Sequence, residues 1–244
     1  MDRHARELLE EARLQVKGKG PEEVLRWAYR TFGPKVAFAT SLGLEDQVLT
    51  DMIARTAPRI PIFTLDTGRL FPETYDLIER TCRQYGLHIR VCFPEAARVT
   101  RMVEEHGINF FRKSVELRKL CCRVRKVEPL KKALAGLEAW IVGLRSGQAA
   151  TRSVVKVVDW DEANGLLKIS PLADWSLEDV WRYIRARNVP YNPLHDRGFP
   201  SIGCACCTRA VRPGEDIRAG RWWWELPEHR ECGLHTGQAA REEA

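Results

Sequence analysis

Short apolar runs alternate with helix-like stretches along the first part of this 244-residue chain, and that alternation restricts the fold more than any other feature. Residues 35–39 (KVAFA), 60–65 (IPIFTL), 87–91 (LHIRV) and 139–144 (AWIVGL) read as strands, with helical stretches over 44–55, 72–85, 95–105 and 114–135 between them. Two further helices, over 3–16 and from Pro21 through Tyr29, precede the first strand. Strands separated by helices predict an α/β fold, a mostly parallel twisted sheet with helices on both faces. Such sheets bind ligands beyond the carboxyl ends of their strands, so the chemistry is expected in the loops after Ala39, Leu65, Val91 and Leu144. Beyond Thr151 the pattern changes. Residues 154–158 and 166–169 predict a hairpin around Asn164-Gly165, and 176–187 a helix. After Glu225 little could pack a core, which predicts a mobile tail.

Eight cysteines punctuate this framework. The opening segment is charged throughout, without the apolar core of a secretory signal, and no apolar run is long enough to span a bilayer. A cytoplasmic protein is therefore expected, in which grouped cysteines are ligands or nucleophiles rather than disulfides. Cys121-Cys122 and the Cys204-Ala205-Cys206-Cys207 string form two groups; Cys232 stands alone near the end. Four thiolates suit zinc or a 4Fe-4S cluster, and the second group is common to both metals. Neighbouring side chains on a helix diverge by about 100°, which fits a cube with irons at separate corners better than one small ion. Cys206 is ambiguous beside these, and Cys82 and Cys92 fall in apolar patterns that mark them as packing residues.

The vicinal pair lies among Arg118, Lys119, Arg123, Arg125 and Lys126. Such a run usually marks a solvated helix face, but Lys126 falls one turn after Cys122, where its ammonium would face an anionic cluster. Around Cys232, His229, Arg230 and His235 favour the thiolate and Glu231 opposes it. A formal charge of +6 favours anionic partners but is too dispersed to imply nucleic acid. Thr40-Ser41-Leu42-Gly43 leaves a strand and opens a helix, a geometry suited to an anion. Leu65-Asp66-Thr67-Gly68 and the Gly143-to-Gly147 loop, with Arg145 and Arg152, complete an edge at which arginines would converge on a charged ligand.

Taken together, TSLGLEDQV, LDTGRLFPETY, KLCCRVRKVEPL, GLRSGQAATRS, SPLADWSLEDVW, the block from NPLHDRGFPSIGCACCTR to RWWWE, and ECGLH resemble the assimilatory phosphoadenylyl-sulfate and adenylyl-sulfate reductases. The resemblance runs in order over roughly residues 35–236 and implies the adenine nucleotide alpha-hydrolase-like fold. It implies one 4Fe-4S cluster on Cys121, Cys122, Cys204 and Cys207, and Cys232 as nucleophile. Residues 1–224 would form the sulfonucleotide-binding reductase domain, and 225–244 the tail that carries the nucleophile. Because both cysteine pairs are present, the implied substrate is adenylyl sulfate and the implied partner a thioredoxin or glutaredoxin-type reductant. Ser41, Gly43, Asp66, Thr67 and Gly143 would position the adenylyl part; Lys126, Arg145, Arg152, Arg218, Arg221 and His235 would neutralise charge near the sulfur. Where ATP pyrophosphatases of this fold carry SGGxDS, this chain reads SLGLED, which argues against gripping pyrophosphate. The rival readings are the same chemistry on the 3'-phosphorylated substrate, an ATP-dependent tRNA-thiolating enzyme, and a zinc-stabilised nucleic-acid binder. Neither nucleic acid nor membrane is an expected partner, and a homo-oligomer is left open.

Overall fold

The computed structural model describes residues 1–148, 154–226 and 229. Its elements form two compact units: residues 1–64, 76–90 and 136–192 make the first, and 65–75, 91–135 and 193 onward the second. The first opens with helix α1 (Arg3–Val16), whose Ala5, Leu9, Ala12 and Val16 recur at helical spacing and are buried. Helix α2 (Pro21–Phe32) starts on a proline, whose missing N–H costs nothing in the first turn.

Six strands form one sheet among the described residues: β1 (Val36–Thr40), β2 (Ile62–Leu65), β3 (Ile89–Cys92), β4 (Ala139–Ile141), β5 (Val158–Asp161) and β6 (Leu166–Ile169). Their order is β3-β2-β1-β4-β6-β5. Strand β1 runs parallel to β2 on one side and β4 on the other, and β4 runs parallel to β6. Strand β5 pairs antiparallel with β6 at the edge. The expected mostly parallel α/β sheet is therefore present. Its strand order reverses between β1 and β4, the place where sheets of this class leave a crevice. Val36, Phe38, Ala139 and Ile141 are fully buried there, which is why these strands are continuously apolar instead of alternating. Helix α3 (Leu44–Thr56) follows β1, and α8 (Leu177–Arg187) starts on Ser176, whose hydroxyl accepts from the Asp179 amide.

Two expectations need correction. The first hairpin strand lies at Val158–Asp161, not over 154–158. The amides of Asn164 and Gly165 both donate to the Asp161 carbonyl, so the turn closes there and the ladder starts with Asp161 opposite Leu166. Nor is 114–135 one helix. Helix α6 (Val115–Cys122) passes into a π turn over Arg123–Val127 before α7 (Glu128–Leu134). Pro129 explains the break: in a continuous α-helix its ring would strike the Arg125 carbonyl and supply no N–H for it. The wider turn, with Glu128 donating to the Arg123 carbonyl, removes the clash.

The second unit also contains the end of β3 and helix α5 (Ala96–His106). Its apolar cluster gathers Met102, Phe110, Phe111, Val124 and Trp222 together with four cysteines. Helix α4 (Pro72–Tyr85) passes from the second unit into the first. Among the described residues no helix is long and apolar enough to cross a membrane.

Candidate active site

In the first unit, the site residues predicted from sequence meet at the ends of β1 and β4. Ser41 donates both its amide and its hydroxyl to one carboxylate oxygen of Asp46, each at 2.6 Å. Asp46 is buried, and desolvation pushes its carboxyl up to about 6 in spite of those bonds. Gly143 lies against the other carboxylate oxygen so closely that a Cβ there would come within 2.1 Å of it, a gap only glycine leaves open. Leu42 takes φ 60°, left-handed backbone that residues with a side chain seldom adopt. Arg145 is buried and donates through Nε to Glu45 at 2.7 Å, so part of its charge is already matched. Ser41 itself is exposed, held in place from below by Asp46.

In the second unit the two cysteine groups line one pocket, with Thr67 packed against it. Cys121, Cys122, Cys204 and Cys207 are all buried. Cys206 shares the pocket wall with them but is only half-buried. A single tight turn over Ala205–Cys207, closed by the Cys207 amide on the Cys204 carbonyl, brings Cys204 and Cys207 together. The Thr67 hydroxyl lies 3.2 Å from the Cys204 sulfur, and Arg125 donates to the Thr67 carbonyl at 2.6 Å. Thr67 thus serves the cysteine pocket, while Asp66 ties down its own loop by accepting from the Gly68 amide and the Tyr75 hydroxyl. Burial pushes the Cys121 thiol up to about 11, with the neighbouring Cys122 adding to the shift.

Arg125 and Arg118 are buried and Lys126 half-buried around this pocket, whereas Lys119 and Arg123 face solvent. The basic segment is therefore not a uniformly solvated face. Arg118, Cys122 and Arg125 are spaced four and three residues apart, a periodicity in the sequence that places them on one side of the helix. Trp222 has two guanidinium groups against its ring, Arg118 4.9 Å and Arg221 4.8 Å from the ring centre. Arg221 is buried and reaches Ser201 and the Ile202 carbonyl, a seat that exists because Gly203 has no side chain. Arg218 is half-buried on the preceding turn, its amide donating to Asp216. Arg152, Cys232 and His235 lie outside the described residues, as does most of the predicted tail.

Residues 35–210 match the phosphoadenosine phosphosulfate reductase domain. Adenosine 5'-phosphosulfate reductase of Allochromatium vinosum is 57% identical over 205 residues, 84% of this chain and 80% of that protein. The protein of the same name from Burkholderia cepacia is 54% identical over 201 residues, 82% of this chain and 80% of its own length. Among solved structures, the phosphoadenylyl-sulfate reductase of Candida auris superposes with a TM-score of 0.72 at 32% identity, covering 84% of this chain and 97% of that one. Yeast FAD synthetase, at 15% identity and a TM-score of 0.52 over 85% of this chain and 67% of that one, shares the fold alone. The match runs through the sheet and through both cysteine groups at 121–122 and 204–207, and with relatives more than half identical over most of the chain it leaves one conclusion: this chain belongs to the phosphoadenosine phosphosulfate reductase domain family.

Proposed function

We propose that this protein reduces adenylyl sulfate to sulfite and AMP, taking two electrons from a thioredoxin- or glutaredoxin-type dithiol. The observation that carries the reading is the gathering of Cys121, Cys122, Cys204 and Cys207 in one cation-lined pocket, in a chain that shares more than half its aligned residues with two adenosine 5'-phosphosulfate reductases. The 3'-phosphorylated substrate is the alternative, carried in name by the more distant Candida auris protein.

The pocket fits a 4Fe-4S cluster. Four buried thiols supply its ligands, and two buried donors on the pocket wall, Trp222 Nε1 and Arg125 Nε, have no acceptor among the described residues. Cluster sulfur would give them one. Among the described residues no group of three or more His, Cys, Asp or Glu side chains is placed, as it stands, to hold a metal ion. When bound, the cluster supplies a compact anionic body that fixes the four thiolates and the cations around them.

The chemistry belongs to Cys232. Its thiolate attacks the sulfur of adenylyl sulfate, an S–S bond forms, and the bond from that sulfur to the phosphate oxygen breaks with its electron pair leaving on AMP. The enzyme is left as an S-sulfocysteine. A thiolate of the reductant then attacks the Cys232 sulfur and expels sulfite; its second thiol resolves the mixed disulfide, and the reductant departs oxidised. Ser41, Gly43, Asp66, Thr67 and Gly143 position the nucleotide and its loops. Lys126, Arg145, Arg152, Arg218, Arg221 and His235 offset charge on the transferring and leaving groups. Thiols kept reduced in this way belong in the cytoplasm.

Enzyme mixed with adenylyl sulfate and no reductant should gain one sulfonate on the peptide containing Cys232 and release AMP in a single turnover. Cys232→Ser should lose both while still binding AMP. Intact-mass and peptide mass spectrometry read the outcome: AMP and sulfite formed by an unmodified enzyme, or an adduct on Cys206, would exclude this nucleophile.

A further inference from the structure

A buried ion pair in the second unit reaches from the wall of the cysteine pocket to the start of the C-terminal segment. Arg118, on α6, and Glu225 expose only 1% and 3% of their side chains. The pair is two-pronged, Arg118 Nε to one Glu225 oxygen at 3.0 Å and a terminal nitrogen to the other at 2.9 Å. That same nitrogen donates to the main-chain carbonyl of His229, and the guanidinium lies over the Trp222 ring. One side chain, a turn before Cys122, thus grips the chain at three points between residues 222 and 229.

Burying both partners of an ion pair returns little net stability, because each loses its hydration; apolar residues of similar size often serve as well. What a forked pair adds is a fixed geometry. Cys232 follows His229 by only three residues in the sequence, so holding His229 fixes the point from which the chain leaves toward it.

We propose that Arg118 and Glu225 are positioning residues for the sulfur transfer: they clamp the root of the C-terminal segment so that the Cys232 thiol is delivered from a fixed origin beside the cysteine pocket. The proposal rests on Cys232 being the nucleophile. Misplacing a reacting group by an ångström can cost about a hundredfold in rate, so loosening the root should slow the transfer without weakening nucleotide binding.

The test uses the full-length iron-loaded protein and the double variant Arg118→Met/Glu225→Leu, which replaces the pair by apolar side chains. Three quantities are compared: AMP affinity, the rate at which iodoacetamide alkylates Cys232 without substrate, and the single-turnover rate of sulfonation. AMP affinity should hold, alkylation should speed at least about fivefold, and sulfonation should slow at least about tenfold. A merely structural pair would leave both rates at their wild-type values in a folded double variant whose iron content matches wild type, and a wild-type value for either one in that protein overturns the proposal. Should the double variant fail to fold, Arg118→Lys keeps the charge but loses the fork, and the same two rates should move in the same directions by smaller factors; unchanged rates there overturn it equally. If the wild-type enzyme forms no Cys232 adduct at all, the proposed function falls, while the alkylation comparison still decides whether the clamp exists.

Discussion

Asp46 shows how one buried carboxylate can organise a loop at a cost to stability. It fixes Ser41 by two hydrogen bonds and fills the space that Gly143 leaves, but its burial raises its affinity for a proton. The folded protein holds that proton to about pH 6, whereas the unfolded chain releases it near 3.8. Stability contributed by protonation is therefore complete below the unfolded value and lost as pH rises through about 6. Compared with Asp46→Asn, the wild-type protein should lose on the order of 2–3 kcal/mol between about pH 4 and about pH 7. Urea denaturation of both proteins across that range measures the difference, in which other titrations cancel. Parallel curves would mean that Asp46 is ionised at little cost.

The ends of β1 and β4 work as a pair, since a glycine on one leaves room for a carboxylate beside the other. Gly143→Ala would drive a methyl group into Asp46, close to its backbone nitrogen as well as its side chain. Overpacking of this kind costs about 1–3 kcal/mol; we expect a lower denaturation midpoint and AMP affinity reduced at least about tenfold, by calorimetry. Wild-type stability and affinity in that variant would remove the loop from the binding site. The sequence revealed the strands between helices well, because buried parallel strands are short uninterrupted apolar runs. It misplaced β5, since Val154 to Val158 are as apolar as a strand and only the turn chemistry at Asp161 decides where pairing begins. It joined α6 to α7, because periodicity continues across Pro129 while the backbone does not. It grouped Cys121, Cys122, Cys204 and Cys207, but it could not single out Arg118 from the basic run around it, because its partner Glu225 lies more than a hundred residues away.

At the scale of the molecule, the cysteine pocket joins stretches of chain that are remote in sequence: Cys121 and Cys122 from one, Cys204 and Cys207 from another, and Trp222 from a third. The cluster proposed there would cross-link them, so its loss should be felt by the fold. Iron and acid-labile sulfide are expected at about four each per chain. Cys204→Ser should lower the iron content and the melting temperature together, while Cys206→Ser keeps both; iron analysis with calorimetry checks this, and stoichiometric zinc in an active iron-free enzyme would refute it. Neither compact unit is one continuous stretch of chain, and the second is complete only once residues beyond 193 are present. About 80 residues separate Cys122 from Cys204, which at about 5–20 residues per second takes a ribosome roughly 4–16 seconds to make. For that interval every nascent molecule carries an adjacent pair of thiols whose proposed partners have not yet been synthesised, and if the four hold a cluster, it is then that a competing metal or an oxidant has its best chance to spoil the enzyme.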